Sequence, residues 1–196
     1  GTENHLNLGD NFMQEGLAYR ITPFNTTQLN ARIDSEKMYK NLMEKFKFGG
    51  IDNPNVYIDE NIMRMCFTHR RMFAQVVKQL LKEGKKDKAL KALDYSEKVI
   101  PGTTVPHDFQ SGSKDLAEAY YQLGETEKAD KIMDAMANNS LEYVTWYLSL
   151  TDSQLATSSQ DCLYHFYILD DLSSTFDKYK SKLASNYSKR FDELYG

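Results

Sequence analysis

Between residues 60 and 138 the sequence repeats one arrangement twice, and that repetition limits the fold more than any other feature. LKEGKKDKALKAL at 81–93 and YQLGETEKADKIM at 121–133 each close an apolar-periodic stretch at a glycine. Three polar residues follow, and a second helical stretch opens around an alanine. Gly84 aligns with Gly124, Asp87 with Glu127, Lys88 with Lys128, Ala89 with Ala129, and Leu93 with Met133, all at a spacing of 40 residues. A glycine frees the backbone for the reversal, and a small alanine lets two helices approach closely. The pattern predicts two antiparallel helical hairpins over about 60–101 and 112–138, neither able to bury its apolar face alone.

The spacing is near the 34-residue tetratricopeptide period, lengthened here by a loop from Gly102 to Ser111. The fold class expected is therefore all-α: a tetratricopeptide-like, right-handed array of antiparallel hairpins with an extended N-terminal arm and C-terminal capping helices. Residues 1–34 form the arm, packed on the domain, since Pro23 and a Thr/Asn cluster interrupt any helical period. Its Leu17, Tyr19, Ile21 and Phe24 either add a short edge strand or lie along the helices. Residues 35–196 form a single helical repeat domain.

Within it, a first helix is expected from Ser35 to Phe48, capped by Asp34 or Ser35, with Met38, Leu42 and Phe46 on one face. Asp59 caps the next helix, whose apolar face reads Ile62, Met65, Cys66, Phe73, Val76, Val77, Leu80 and Leu81. Further helices fill 140–195. Ser140 is expected to cap a helix carrying Leu141, Val144, Tyr147 and Leu148, and Thr151–Gln160 to be a polar joint that is partly helical. The pattern resumes from Asp161, and a terminal helix carries Phe176, Tyr179, Leu183, Tyr187 and Phe191.

Composition narrows the partners. A formal net charge of -4 leaves no broad cationic surface for nucleic acid or anionic lipid. The longest apolar runs fall well short of the roughly 18 residues that span a bilayer, so direct membrane insertion by this stretch is not expected. No charged-then-apolar leader is visible, and Gly1 reads as a processing or expression scar on a piece of something longer. Cys66 and Cys162 form no CxxC pair, which leaves free thiols or one long-range bridge.

Four motifs in order, EGLAYRITPF at 15–24, MYKNLMEKFKFGG at 38–50, NVYIDENIMRM at 55–65 and the two hairpins, resemble one family. It is the C-terminal soluble region of large polytopic membrane proteins of Bacteroidetes, a family of unknown function. Their N-terminal membrane half is similar to protein O-mannosyltransferase-type glycosyltransferases of the GT-C class. The resemblance covers about residues 15–150 and implies a domain on the extracytoplasmic, periplasmic side of the inner membrane, beside a glycosyltransferase-like core. Any catalytic residues of that membrane half are absent here, so none can be carried over.

The residues offer little chemistry of their own. His5, His69, His107 and His165 never sit at the i, i+4 spacing of a helical metal site, and no metal or cofactor is expected. His69 and His165 read as satisfied core histidines. Cys66 lies in an apolar stripe and reads as packing. Asp59 reads as a cap and Glu60 with Arg64 as a helical ion pair, against the alternative that they bind a polar ligand with Tyr57. GxGxxG, GxxxxGK[ST], GxSxG and HExxH are all missing. One constellation points to binding: Tyr143, Trp146, Tyr147, Tyr164, Phe166 and Tyr167, with Tyr120 and Tyr121 on the hairpins.

Aromatic rings along a helical groove stack on sugars or anchor peptides. The leading expectation is thus a non-catalytic interaction scaffold, docking its parent membrane domain, a protein or peptide, or a glycan. The alternatives are a purely structural domain without a ligand, its aromatics filling the gap before the capping helices, and a glycan-binding outer-membrane lipoprotein domain. A stand-alone enzyme would require a deep pocket holding two carboxylates of perturbed acidity.

Overall fold

Asp34 and Asp59 start helices as side-chain caps, and Gly84 and Gly124 stop them, as the sequence supplies. A computed structural model describes residues 8–29 and 32–195, with side chains through residue 190. Residues 1–7, 30 and 31 of the expected arm, with His5, lie outside the described residues, as does the side chain of Phe191. The described chain is predominantly helical, with one two-stranded sheet. It divides into two compact units, 1–106 and 107–196.

The first unit opens with a 3-10 turn, Gly9–Asn11, and an antiparallel pair, β1 (Phe12–Gln14) and β2 (Tyr19–Ile21), in register Phe12 to Ile21. The arm thus makes a short edge strand, on which Tyr19 and Ile21 are exposed, as are Leu17 and Phe24 nearby. It is anchored by polar groups. Gln14 is buried, and its Nε2 donates to Gln75 Oε1 at 2.9 Å. Asn41 Nδ2 donates to the Glu15 carbonyl at 2.6 Å.

Helix α1 (Ser35–Lys40) starts at Asp34, whose carboxylate accepts from the Lys37 amide at 3.0 Å. The helix expected to reach Phe48 instead widens into a π-helical turn, Asn41–Lys45, and ends there. The wide turn closes with the Phe46 amide donating to the Asn41 carbonyl at 2.9 Å. It releases Phe46 and Phe48 to pack edge-on against His69, and Phe48 also against Phe73 and Tyr95. Met38 and Leu42 are fully buried, as their spacing predicts.

Helices α2 (Glu60–Lys82) and α3 (Lys86–Val99) form the first hairpin. Asp59 caps α2 as expected, accepting from the Ile62 amide at 2.9 Å. The buried stripe runs from Cys66 through Phe73, Val76, Val77 and Leu80, but Ile62 and Met65 are 42% and 61% exposed. The cause is length. At 23 residues against 14, α2 outruns its partner by nine, or about 13 Å at 1.5 Å per residue, on the side away from the turn. Its N-terminal overhang has no α3 to bury it. Arg70 takes a place on the buried stripe instead.

The second unit contains a 3-10 turn (Phe109–Ser111), then α4 (Ser113–Gln122), α5 (Thr126–Leu148), α6 (Asp152–Tyr179) and α7 (Ala184–Tyr195). Three expected boundaries move. Ser140 does not cap a helix: α5 runs through it, because Asn138 spends its amide on Asp134 at 3.1 Å and Ser140 lies buried against α6. Thr151 starts α6 with a capping box to Gln154, so the polar segment 152–160 is helical throughout. The expected terminal helix is two, since Lys180 turns left-handed at φ 52° and separates Phe176 from Tyr187. Those two rings still meet, stacked at 5.1 Å across the turn.

The two hairpin turns are alike in detail. Lys85 and Glu125 amides donate to the Leu80 and Tyr120 carbonyls, both at 2.9 Å, and Gly84 and Gly124 amides to Leu81 and Tyr121, both at 3.0 Å. These bonds satisfy the last carbonyls of α2 and α4 and need a left-handed glycine, with φ of 74° and 84°. Ala89 and Ala129 are fully buried where the partner helices meet. Since an added Cβ meets nothing within 4 Å at either glycine, Gly84→Ala and Gly124→Ala should each cost about 1 kcal/mol, from backbone strain alone. Urea unfolding checks this; a cost above 3 kcal/mol at either would contradict it.

One surface cluster also ties α1 to the start of α3. Glu36 accepts from Lys85 and Lys88, both at 2.6 Å. The Lys85 contact first, then Lys88, hold its carboxyl down from 4.5 to about 2. A depressed carboxyl stabilises above its unfolded value and loses that contribution as pH falls through the folded value. An NMR titration should therefore find Glu36 still ionised at pH 3, and in Lys85→Ala its midpoint should rise.

Candidate functional site

Because α5 continues through Ser140, it places Asn139, Glu142, Tyr143 and Trp146 at i, i+3, i+4 and i+7, one stripe of a helix surface. These four line a surface recess of about 350 Å³. Tyr143 and Trp146 stay 44% and 53% exposed. Both rings are braced. Tyr143 stacks on His165 of α6 at 4.4 Å with 15° between planes, and Trp146 leans on Tyr147 at 4.8 Å.

His165 and Tyr147 are the inner layer. His165 Nδ1 lies 3.3 Å from Ser140 Oγ, and burial lowers the imidazole's pKa while Asp108 and Asp161 pull it back up. Such a histidine favours the neutral ring, suited to stacking. Tyr147 is 8% exposed, and burial raises its phenol above the usual range. On the α6 side, Tyr164 accepts from Gln110 Nε2 at 3.1 Å, and Tyr167, 59% exposed, meets Phe109 edge-on.

The structure therefore brings together Tyr143, Trp146, Tyr147 and, through His165, Tyr164. Tyr120 and Tyr121 do not join them. Tyr120 is 1% exposed beneath Lys128, and Tyr121 donates to Asp130 Oδ1 at 2.6 Å while stacking on Tyr179 at 4.6 Å. Their rings turn inward because α5 packs along the face of α4 that carries them, so neither presents a surface to a ligand. Sequence reasoning missed Asn139 and Glu142. Their spacing to Trp146 was the available signal, hidden for Asn139 by the helix start expected at Ser140 and overlooked for Glu142, which shares that expected helix with Trp146.

Elsewhere the polar groups serve the fold. His69 donates from Nδ1 to the Met65 carbonyl at 2.8 Å, and His107 Nδ1 lies 3.0 Å from Ser113 Oγ. Cys66 and Cys162 are free and buried, and burial raises both thiols, so neither is a ready nucleophile. Glu60 pairs with Arg64 one turn along α2, as their spacing predicts. Among the described residues no three His, Cys, Asp or Glu side chains are grouped to hold a metal ion, and no helix is long and apolar enough to cross a membrane. Comparison with known proteins found no matching family model, no similar curated protein and no similar solved structure.

Proposed function

We propose that this chain is a non-catalytic interaction domain that docks a protein, peptide or glycan on the aromatic face of α5 and α6. The observation that carries the reading is the exposure of Tyr143 and Trp146, two large rings held outward over His165 and Tyr147, with Tyr167 exposed on α6 as well. Scattered apolar residues on a surface need no explanation, but rings aligned along a recess with polar neighbours mark binding sites. In the same reading the two hairpins belong to a tetratricopeptide-like right-handed array. The domain would then stand on the periplasmic side of the inner membrane, as the C-terminal region of a membrane glycosyltransferase-like protein. The ordered motifs at 15–65 support that placement.

Stability separates a docking face from a packed one. Trp146→Ala and Tyr167→Ala should each change the unfolding free energy by no more than about 1.5 kcal/mol, the size of the single ring contact each loses to Tyr147 or Phe109. Chemical denaturation of the second unit's helices measures this. Losses above 2 kcal/mol would make the rings core filler and leave no docking surface. For the first unit a structural role is the second reading, favoured by the arm: Gln14 seals against Met72 and Gln75 of α2 with polar bonds of 3.1 and 2.9 Å.

A further inference from the structure

We propose that the α5 stripe Asn139, Glu142, Tyr143 and Trp146 is a carbohydrate subsite that takes a neutral sugar ring, with Trp146 as the stacking platform. The inference rests on the docking role argued above and names the ligand class for it. Three features of the stripe point the same way.

The first is the platform. An aromatic face carries the negative lobe of the ring quadrupole, and the axial C–H groups of a pyranose present a weakly positive, apolar face of similar size. Trp146 and Tyr143 offer such faces already braced, by Tyr147 and His165, so binding does not have to order them.

The second is the polar pair at the rim. Glu142 accepts only, whereas Asn139 both donates and accepts. Vicinal sugar hydroxyls also donate and accept, so one can donate to the carboxylate while its neighbour meets the amide. Among the described residues neither the Asn139 nor the Glu142 side chain makes a hydrogen bond or ion pair, and both are exposed where they line the recess.

The third is what the charge disfavours. Glu142 sits in the middle of the stripe, three residues from Asn139 and four from Trp146. An apolar helix or strand laid along the stripe would bury that carboxylate without a partner, which costs several kcal/mol. A polyhydroxylated ligand supplies the missing donors. The recess of about 350 Å³ is at the small end of ligand pockets, sized for one or two sugar rings.

Trp146 is the chain's only tryptophan, so its emission reports on this site alone. The full chain is titrated with neutral gluco-, manno- and galacto-oligosaccharides and, separately, with a set of Lys- and Arg-containing peptides. Amide chemical shifts are followed in parallel. At least one sugar should produce a saturable emission change with shifts clustered on 139–147. Glu142→Gln should weaken that binding about tenfold, the loss of one charge-assisted bond. Trp146→Ala should abolish the clustered shifts while the far-ultraviolet circular dichroism stays unchanged. If peptides bind at Trp146 and no sugar does, the carbohydrate assignment falls and the docking reading stands. If neither class perturbs residues 139–147, both fall. Sugar-induced shifts confined to other residues also overturn the assignment.

Discussion

Replacing Arg70 with alanine should destabilise the first unit by about 3–5 kcal/mol, a larger loss than any surface change in this chain would bring. Arg70 is fully buried in the middle of α2. Its guanidinium donates to the carbonyls of Ile100 at 3.0 Å, Val105 at 2.7 Å and Pro106 at 2.9 Å. These carbonyls lie at the end of α3 and in the loop after it, outside any helix, so no intrahelical donor reaches them. A single rigid fork satisfies three of them. Truncation leaves several buried acceptors without that donor, each worth about 1–3 kcal/mol, together with the cavity of a long side chain. Arg70→Lys keeps the charge but not the fork, so it should cost less than alanine and more than 1 kcal/mol. Urea unfolding gives the size, and hydrogen exchange in residues 100–106 and α3 gives the place. A loss under 1 kcal/mol for alanine would mean the carbonyls find other donors.

Arg70 also marks the limit of what the sequence could tell. In THRRMF at 68–73 residue type does not distinguish Arg70, which is buried, from Arg71, which is exposed and bonded to Thr68. Helical period alone puts Arg70 one turn past Cys66, on the apolar stripe, but its acceptors lie thirty or more residues away in a loop. Long-range polar satisfaction leaves no periodic trace. The hairpin turns were legible for the opposite reason: Gly84, Gly124, Ala89 and Ala129 act through local backbone and close approach, which spacing records. The helix start expected at Ser140 failed, and the joint expected over 151–160 shrank to 149–151, because Asn, Ser and Thr are weak helix formers whose preference packing overrides. That error mattered for the site. With a helix start expected at Ser140, Asn139 fell off the stripe that carries Trp146, and the fourfold spacing of Glu142 to Trp146 went unread.

The same kind of long-range satisfaction predicts the second large effect, in the other unit. Asp130 is 4% exposed on α5, and its Oδ1 accepts from Tyr121 of α4 and from Ser181 of the α6–α7 turn, each at 2.6 Å. Ser181 Oγ in turn accepts from the Leu183 amide at 3.1 Å, so one carboxylate oxygen holds α4 and the final turn to α5. Asp130→Ala strips an acceptor from two buried hydroxyls and should cost about 2–4 kcal/mol, whereas Asp130→Asn keeps the oxygen and should cost about half as much. In a double-mutant cycle, Tyr121→Phe and Asp130→Ala should couple by about 1–2 kcal/mol. There is a pH signature as well. Burial first, then the Asp130 contact, pushes the Tyr121 phenol well above its ordinary 10. A group whose folded value is raised stabilises fully below the unfolded value and loses that contribution as pH rises through the folded one. Stability of the second unit should therefore decline above about pH 10, and Tyr121→Phe should flatten that decline. Part of it will remain, because burial and the 2.6 Å bond to Asp134 raise Tyr187 in the same direction. An additive cycle, together with an alkaline slope identical in Tyr121→Phe, would show that the carboxylate and the phenol are neighbours without being energetically joined.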